Sequence, residues 1–472
     1  MIQRIKLNNY KCFSDSGEIE LKPLTLLCGV NSSGKSTILK SLLTLKQTHD
    51  KAKSKQGLVL NGNYVKNGTF DDIVYKRNGD SVSITTVHKI VKATRKDKRS
   101  KVEITAFKNL AKMYADYDNI TELIISVEYT FLRENSDNKL SRQEYNLNII
   151  YSNGCNLQSR LLFEHISGNV WRITIENFPN KDGELVEQMK LNNATCYFEN
   201  FIVANLYVSE TKPKTNEVVF IVTNICTISR YVGNMFQNIN YLTPLRVYPQ
   251  RTYLNESDVE GIGIGGESTA QYLSEFQGQK LKTSPFSPIG IKYTDDVLGN
   301  YVNKWMNYFE LGEYQVSETD EIVKLNIGND NIINVGFGVS QTLPIIVTGL
   351  TMYVADTLLL EQPEIHLHPR AQMAMGDFLV SMAKAGKNVI VETHSDHVIN
   401  RIVKRIMDGT ISEDDIAIYF VDNTVEGSKI SKIQIDMIKG VVNAPDEFFT
   451  QFASELNDIF KIGMENLKKK RK

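Results

Sequence analysis

Gly29-Val30-Asn31-Ser32-Ser33-Gly34-Lys35-Ser36-Thr37 decides how the rest of this chain is read. The stretch fits G-x-x-x-x-G-K-[ST], a loop whose backbone N–H groups wrap phosphate oxygens. Its flanks are the ones such a loop requires. Leu24-Thr25-Leu26-Leu27-Cys28 reads as a buried strand before it, and Ile38-Leu39-Lys40-Ser41-Leu42-Leu43 as a helix after it. Glycines let the backbone close on an anion, and a helix N-terminus turns its free N–H groups toward the phosphates. Asn31, Ser32, Ser33, Gly34 and Thr37 form the expected cradle, Lys35 reaches the outer phosphates, and the Ser36 hydroxyl ligates magnesium. A Gly/Ser turn with a chance Gly-Lys pair would not need both flanks.

The 472 residues are enough for one large domain with insertions or for two to three domains. With 42% hydrophobic and 23% charged residues the composition is that of an ordinary globular protein. A net charge of −1 excludes a whole-chain field toward nucleic acid or membrane, so any such contact is a local patch. Cys12, Cys28, Cys155, Cys196 and Cys226 form no C-x-x-C pair, which suits a reducing, cytoplasmic setting. Met1 to Leu7 alternates like a strand rather than a leader. The longest apolar run, Leu343 to Leu350, falls far short of the roughly 20 residues of a membrane span.

Four segments are expected. Residues 1–90 read as strand, phosphate loop and helix, with short strands near Leu58-Val59-Leu60 and Ser83 to Val87. Residues 91–235 hold most of a basic run at 89–101 and a β-rich insertion. Its apolar runs are Ile124 to Phe131, Trp171 to Ile175 and Val218-Val219-Phe220-Ile221-Val222. Residues 236–410 bring helical patterns (Thr269 to Phe276, Val297 to Phe309), a strand at Ile322 to Ile327 and the remaining motifs. Residues 411–472 are a small C-terminal unit ending in Lys468-Lys469-Lys470-Arg471-Lys472, which reads as a solvated tail. The basic run reads first as a solvated face and second as a nucleic-acid footprint.

Three further pieces complete the pattern. Thr357-Leu358-Leu359-Leu360-Glu361 is an apolar strand ending in acid, where a phosphate-loop protein needs a carboxylate for magnesium. Asn388 to Glu392 is another apolar strand, followed by His394, which could hydrogen-bond an outer phosphate. Gly336-Phe337-Gly338-Val339-Ser340-Gln341 stands before an apolar helix (Leu343 to Met352) and makes a second anion-facing helix start. His366 and His368, two residues apart, lack metal-helix spacing, and Arg246 and Arg251 could approach phosphate but read first as structural.

Taken in this order, the motifs resemble an ABC-type ATPase head of the SMC/RecF/OLD kind. The resemblance covers about 1–80 and 235–460. Ile5 to Phe13 is similar to that group's opening strand and turn, Glu361 to Pro369 to its Walker B and D-loop, and Glu392 to Ser395 to its histidine switch. Tyr241 to Arg246 and Asn443 to Phe449 resemble a subgroup of AAA-family ATPases with a small C-terminal domain of unknown function. The implied fold is α/β, a P-loop core with mixed sheet and helical lobe plus the β-rich insertion. The implied cofactors are ATP and magnesium, with Ser36 and Glu361 as metal donors and Glu361, Gln362, Glu364 and His394 as the catalytic set. The resemblance also implies a head-to-head dimer, open to higher assembly. Each ATP then lies between Lys35 of one copy and the Gly338/Ser340 segment of the other.

One departure matters. The family pair Asp-Glu is here Glu361-Gln362, and Gln can orient a water but cannot take its proton. General-base help is worth about 10²–10⁴-fold. The favoured expectation is slow hydrolysis and a long-lived closed dimer. Recruitment of Glu364 as base, or a double role for Glu361, are the alternatives. No nuclease motif stands out, so a cutting group would sit on another chain. The function expected from the resemblance is a sensor and scaffold of anti-phage defence, as in PARIS- or Septu-like systems, holding a separate effector such as a nuclease. The alternative is a DNA-repair clamp of RecF/SMC type that binds DNA.

Overall fold

The computed structural model describes residues 2–51, 57–92, 101–114, 117–134, 137–180, 184–199, 201–208, 215–255, 259–281, 286–290, 296–425, 427–436 and 440–445. Its centre is a six-stranded sheet in the order Ile239–Leu242, Thr357–Glu361, Asn388–Glu392, Leu24–Gly29, Ile416–Thr424, Gly427–Ile433. All neighbours are parallel except the last pair. The apolar runs seen in the sequence form these strands because both faces are covered, as parallel sheets require. Leu27, Leu359, Ile390, Ala417, Tyr419 and Val421 face one core, which contains the helix Lys35–Lys51. The alternate residues Leu26, Leu358, Leu360, Val389, Val391 and Ile418 face a second core. That core is built on the helices Leu298–Tyr308, Phe337–Thr351, Pro369–Lys384 and Asp396–Met407.

The first core is closed by a ten-stranded sheet. Its path runs Ile202–Val208, Leu185–Glu199, Val170–Pro179, Asn156–Ser167, Asp137–Tyr151, Ile120–Glu134, Ser81–Val91, Ile2–Tyr10, Phe13–Asp15, with Ile19–Glu20 also on Ile2–Tyr10. Every pairing is antiparallel. The strands of the β-rich segment therefore prolong the sheet begun by the N-terminal strand, through Ser81–Val91 and Ile120–Glu134. Burial alternates along Ile120–Glu134, as expected of a sheet with one face on a core and one in solvent.

Two expected strands are absent. Val218 to Val222 lies inside the helix Thr215–Gln237. Over that longer window Ile221, Ile225, Ile228, Val232 and Met235 recur at helical spacing and are buried. The weak helix preference of β-branched residues, a few tenths of a kcal/mol each, is small beside that burial. Ser229 fixes this helix to the sheet, because its Oγ takes bonds from Tyr145 Oη and Val203 N, each at 2.8 Å. Leu58 to Leu60 also forms no strand. Side chains satisfy its backbone instead of a ladder: Asn138 Oδ1 accepts from Leu58 N at 2.6 Å, and Gln47 Nε2 donates to Val59 O at 2.8 Å.

Of the basic run, Lys89 pairs with Glu122 at 2.9 Å and Lys92 donates to Asp118 O, while residues 93–100 lie outside the described residues. So do 446–449 and the lysine-rich tail. Among the described residues no helix is long and apolar enough to cross a membrane.

Candidate functional site

The phosphate-type loop leaves the strand Leu24–Gly29 at its C-terminal end and enters the helix Lys35–Lys51. Two glycines make the turn possible. Gly29 has φ +129°, and a Cβ there would lie 2.1 Å from Val421 O of the neighbouring strand. Gly34 has φ +106°, and its Cβ would lie 2.5 Å from Cys12 Sγ. Asn31 and Ser32 are exposed at the tip, and Asn423 Nδ2 donates to Ser32 O at 3.3 Å. Ser36 and Thr37 open the helix, half-buried. The Ser33 hydroxyl is fully buried and has no partner. Lys35 Nζ donates to Gly29 O at 3.1 Å and Val30 O at 2.5 Å. Burial lowers the Lys35 pKa, and the Glu392 carboxylate opposes that shift. Among the described residues Lys35 makes no ion pair, so its ammonium is hydrogen-bonded only to main-chain carbonyls.

Glu361 ends its strand in register with Glu392, which in turn faces Leu27 of the loop strand. Both carboxylates are buried. Tyr241 Oη donates to Glu361 Oε1 at 2.6 Å, and burial raises the Glu361 pKa. Gln362 turns the chain with φ +44° and donates its N–H to Glu392 O at 2.8 Å. Glu364 folds back beneath: its Oε1 accepts from His394 N at 2.7 Å. Its Oε2 has no partner in hydrogen-bond geometry, with Thr393 nearby. Burial pushes the Glu364 pKa up. The His394 imidazole reaches the surface, and its partial burial and the Lys35 charge both lower its pKa. Ser395 caps the following helix through Val398 N at 3.1 Å, which fixes where His394 leaves the strand.

Sequence reasoning passed over two members of this cluster. Glu392, whose Oε2 is buried without a partner, ends an apolar strand as Glu361 does, so its signal was present. Arg246, read as structural, is 3% exposed with Nε and Nη2 unpartnered. Only the fold shows that it faces Glu364 and Glu361.

Lys35, Glu361, Glu364, Glu392 and His394 thus meet at one end of the parallel sheet. Among the described residues Gly338 and Ser340 share no hydrogen bond with them. They sit in the first turns of Phe337–Thr351, where a Cβ on Gly338 would lie 3.1 Å from His366 O and Ser340 Oγ donates to Phe337 O at 2.8 Å. Among the described residues no hydrogen bond links either to the loop at 29–37. The His366 ring packs on Phe337 and the His368 ring caps Pro369–Lys384.

The residues fit a nucleotide with magnesium. The loop is a cradle that side chains would fill, and an orphan hydroxyl and a cation line it. No set of three His, Cys, Asp or Glu among the described residues could hold a metal unaided. Magnesium ordinarily needs only one or two carboxylates plus phosphate oxygens.

A search of curated protein sequences returns no significant match. Solved structures of similar shape include an SMC head bound to the C-winged helix domain of ScpA, 12% identical, TM-score 0.38, covering 92% of this chain and 98% of that one. The SMC head domain from Thermotoga maritima is 11% identical, TM-score 0.38, with 92% and 99% covered. The Smc head with an extended coiled coil from Pyrococcus furiosus, bound to the C-terminal domain of ScpA, is 10% identical, TM-score 0.35, with 100% and 99% covered. The profile of the AAA ATPase domain matches residues 1–227 and 267–399, which takes in the strands of the β-rich segment and Lys35, Glu361, Glu364, Glu392 and His394, but not Tyr241 or Arg246. With its phosphate loop, acid-ended strands and histidine inside that match, the chain belongs to the AAA ATPase domain family and is a nucleotide-binding ATPase.

Proposed function

We propose that this protein binds ATP with magnesium, closes as a dimer around it, and hydrolyses it with Glu364 as general base. One observation carries the reading. Glu364 is buried, held at one oxygen by His394 N–H at 2.7 Å, and unpartnered at the other. Burial raises its pKa, which moves a carboxylate toward the range useful for proton transfer at neutral pH. Gln362, at the position where the resemblance implies a base, orients water. Ser36 and Glu361 hold magnesium, residues 31–37 hold the phosphates, and His394 bonds the outermost one. The bound nucleotide and metal supply the anhydride and neutralise its charge. The dimer rests on the resemblance, in which a second copy brings Gly338 and Ser340 to the nucleotide; among the described residues neither is hydrogen-bonded to its own loop. The resemblance of the motifs to defence ATPases supports a wider role as sensor and scaffold for an effector on another chain.

Three variants test the chemistry. Glu364→Gln should lower the hydrolysis rate by about 10²–10⁴-fold with ATP still bound. Gln362→Glu should give no gain, and Lys35→Ala should abolish nucleotide binding. A Gln362→Glu enzyme more than about ten-fold faster, with Glu364→Gln unchanged, would reverse the assignment in favour of a chain slowed by its missing base. The wider role is tested by native mass after co-expression with neighbouring genes, with and without ATP and magnesium. A second polypeptide in the complex supports it. A bare chain toggling between monomer and dimer removes it.

A further inference from the structure

Arg246 is the least satisfied charged group of the cluster. Its Nη1 donates to Pro244 O at 2.9 Å and to Gln362 O at 3.5 Å, while Nε and Nη2, although buried, donate to nothing. Buried donors are nearly always paired, so an arrangement that leaves two unused points to another that uses them. The strongest carboxylate influence on this guanidinium is that of Glu364, ahead of Glu361. Among the described residues Arg246 nevertheless makes no ion pair, and Glu364 Oε2 is itself unpartnered. Two complementary groups are buried in one cluster with their bond unmade.

The backbone of Arg246 is held from another direction. Gln341 Oε1 accepts from Arg246 N at 3.1 Å, and Gln341 Nε2 donates to Arg246 O at 3.4 Å. Gln341 is fully buried and follows Ser340 in the helix Phe337–Thr351. A single residue therefore touches the turn after the acid strand through its side chain and the Gly338/Ser340 helix through its main chain. Tyr241, at the other end of the same short segment, holds Glu361.

We propose that Arg246 is a positioning residue that shifts from the Pro244 and Gln362 carbonyls to Glu364 in the hydrolytic state, sharing Oε1 with the His394 N–H so that Oε2 stays open to water, and through Gln341 ties that shift to the helix bearing Gly338 and Ser340. The inference rests on the ATPase reading with Glu364 as base. It gives the partner-facing helix a direct mechanical link to the carboxylate that acts on water.

The test is steady-state hydrolysis by the full chain over a range of ATP concentrations with magnesium. Arg246→Gln should lower kcat by about 10–100-fold, the size of effect that misplacement of a reacting group produces, with KM for ATP held within about two-fold. In a Glu364→Gln background the same substitution should add no further loss, because residues acting through one another are not additive. A rise in KM with kcat unchanged, or an equal loss in both backgrounds, overturns the proposal. If Arg246→Gln does not fold, Gln341→Met removes the clamp and keeps the guanidinium. It should lower kcat with KM held, and full activity in that variant overturns the coupling. Failure of the underlying ATPase reading shows separately, as hydrolysis that survives Lys35→Ala.

Discussion

Tyr241 shows how one hydroxyl can govern the carboxylate proposed to hold magnesium. Its O–H points at Glu361 at 2.6 Å inside a buried setting that otherwise pushes the carboxyl toward its neutral form. That bond counters the effect of burial, because a hydrogen bond to a carboxylate favours the charged state. Partners of metal-holding carboxylates commonly change metal affinity by about 10–100-fold when removed. Tyr241→Phe should therefore raise the magnesium concentration needed for half-maximal hydrolysis by about ten-fold, with little change in fold. A magnesium titration of the two proteins decides it: coincident curves would remove Glu361 from the metal site.

At the scale of elements, three helices are tied by one buried acid. Asp377 of Pro369–Lys384 accepts from Arg401 Nε at 2.8 Å and Arg405 Nε at 2.6 Å, both on Asp396–Met407, and from Tyr308 Oη at 2.6 Å on Leu298–Tyr308. Asp377→Ala leaves the arginines without their carboxylate, and should cost about 3–5 kcal/mol in urea unfolding. Burial alone would raise the Asp377 pKa, but the bonds from Arg405, Arg401 and Tyr308 outweigh it and hold the carboxyl below its ordinary 3.8. A depressed folded value gives stability that is present above the ordinary value and lost as pH falls through the folded one. The wild type should therefore lose this component below about pH 4, and the Ala variant should lack that part of its acid transition.

The elements also show what the sequence made legible. Three of the parallel strands could be read because each is a short apolar run closed by a residue of the candidate site: Gly29, Glu361, or Glu392 before His394. Each depends on local chemistry alone. The run Val218 to Val222 misled because five β-branched and aromatic residues look the same in a strand and in a helix buried on one face. The role of Arg246 was hidden for another reason. Its partners Gln341 and Gln362 lie about a hundred residues away, and no local pattern encodes that meeting.

Across the whole molecule, two cores meet on opposite faces of the parallel sheet. The N-terminal strand belongs to the antiparallel sheet, whereas the loop strand some twenty residues later belongs to the parallel one. The β-rich insertion continues the first sheet, so cutting at its near boundary would sever strand pairs between Ser81–Val91 and Ile120–Glu134. The loop strand Leu24–Gly29 is flanked by Asn388–Glu392 and Ile416–Thr424. Expressed residues 1–410 should leave that flank open, and an open apolar edge strand invites association. The expected outcome is aggregation and no ATP binding, read by size exclusion and nucleotide titration. A monomeric fragment that binds ATP would show that the sheet tolerates the loss.

That same interleaving sets a clock on synthesis. Leu24 emerges from the ribosome about 400 residues before its neighbour Ile416, a wait of roughly 20–80 s at ~5–20 residues per second. Throughout that interval the phosphate loop exists as a sequence without the walls that shape it. Nucleotide capture should therefore wait until translation is nearly finished, and half-made chains should not compete with completed ones for ATP.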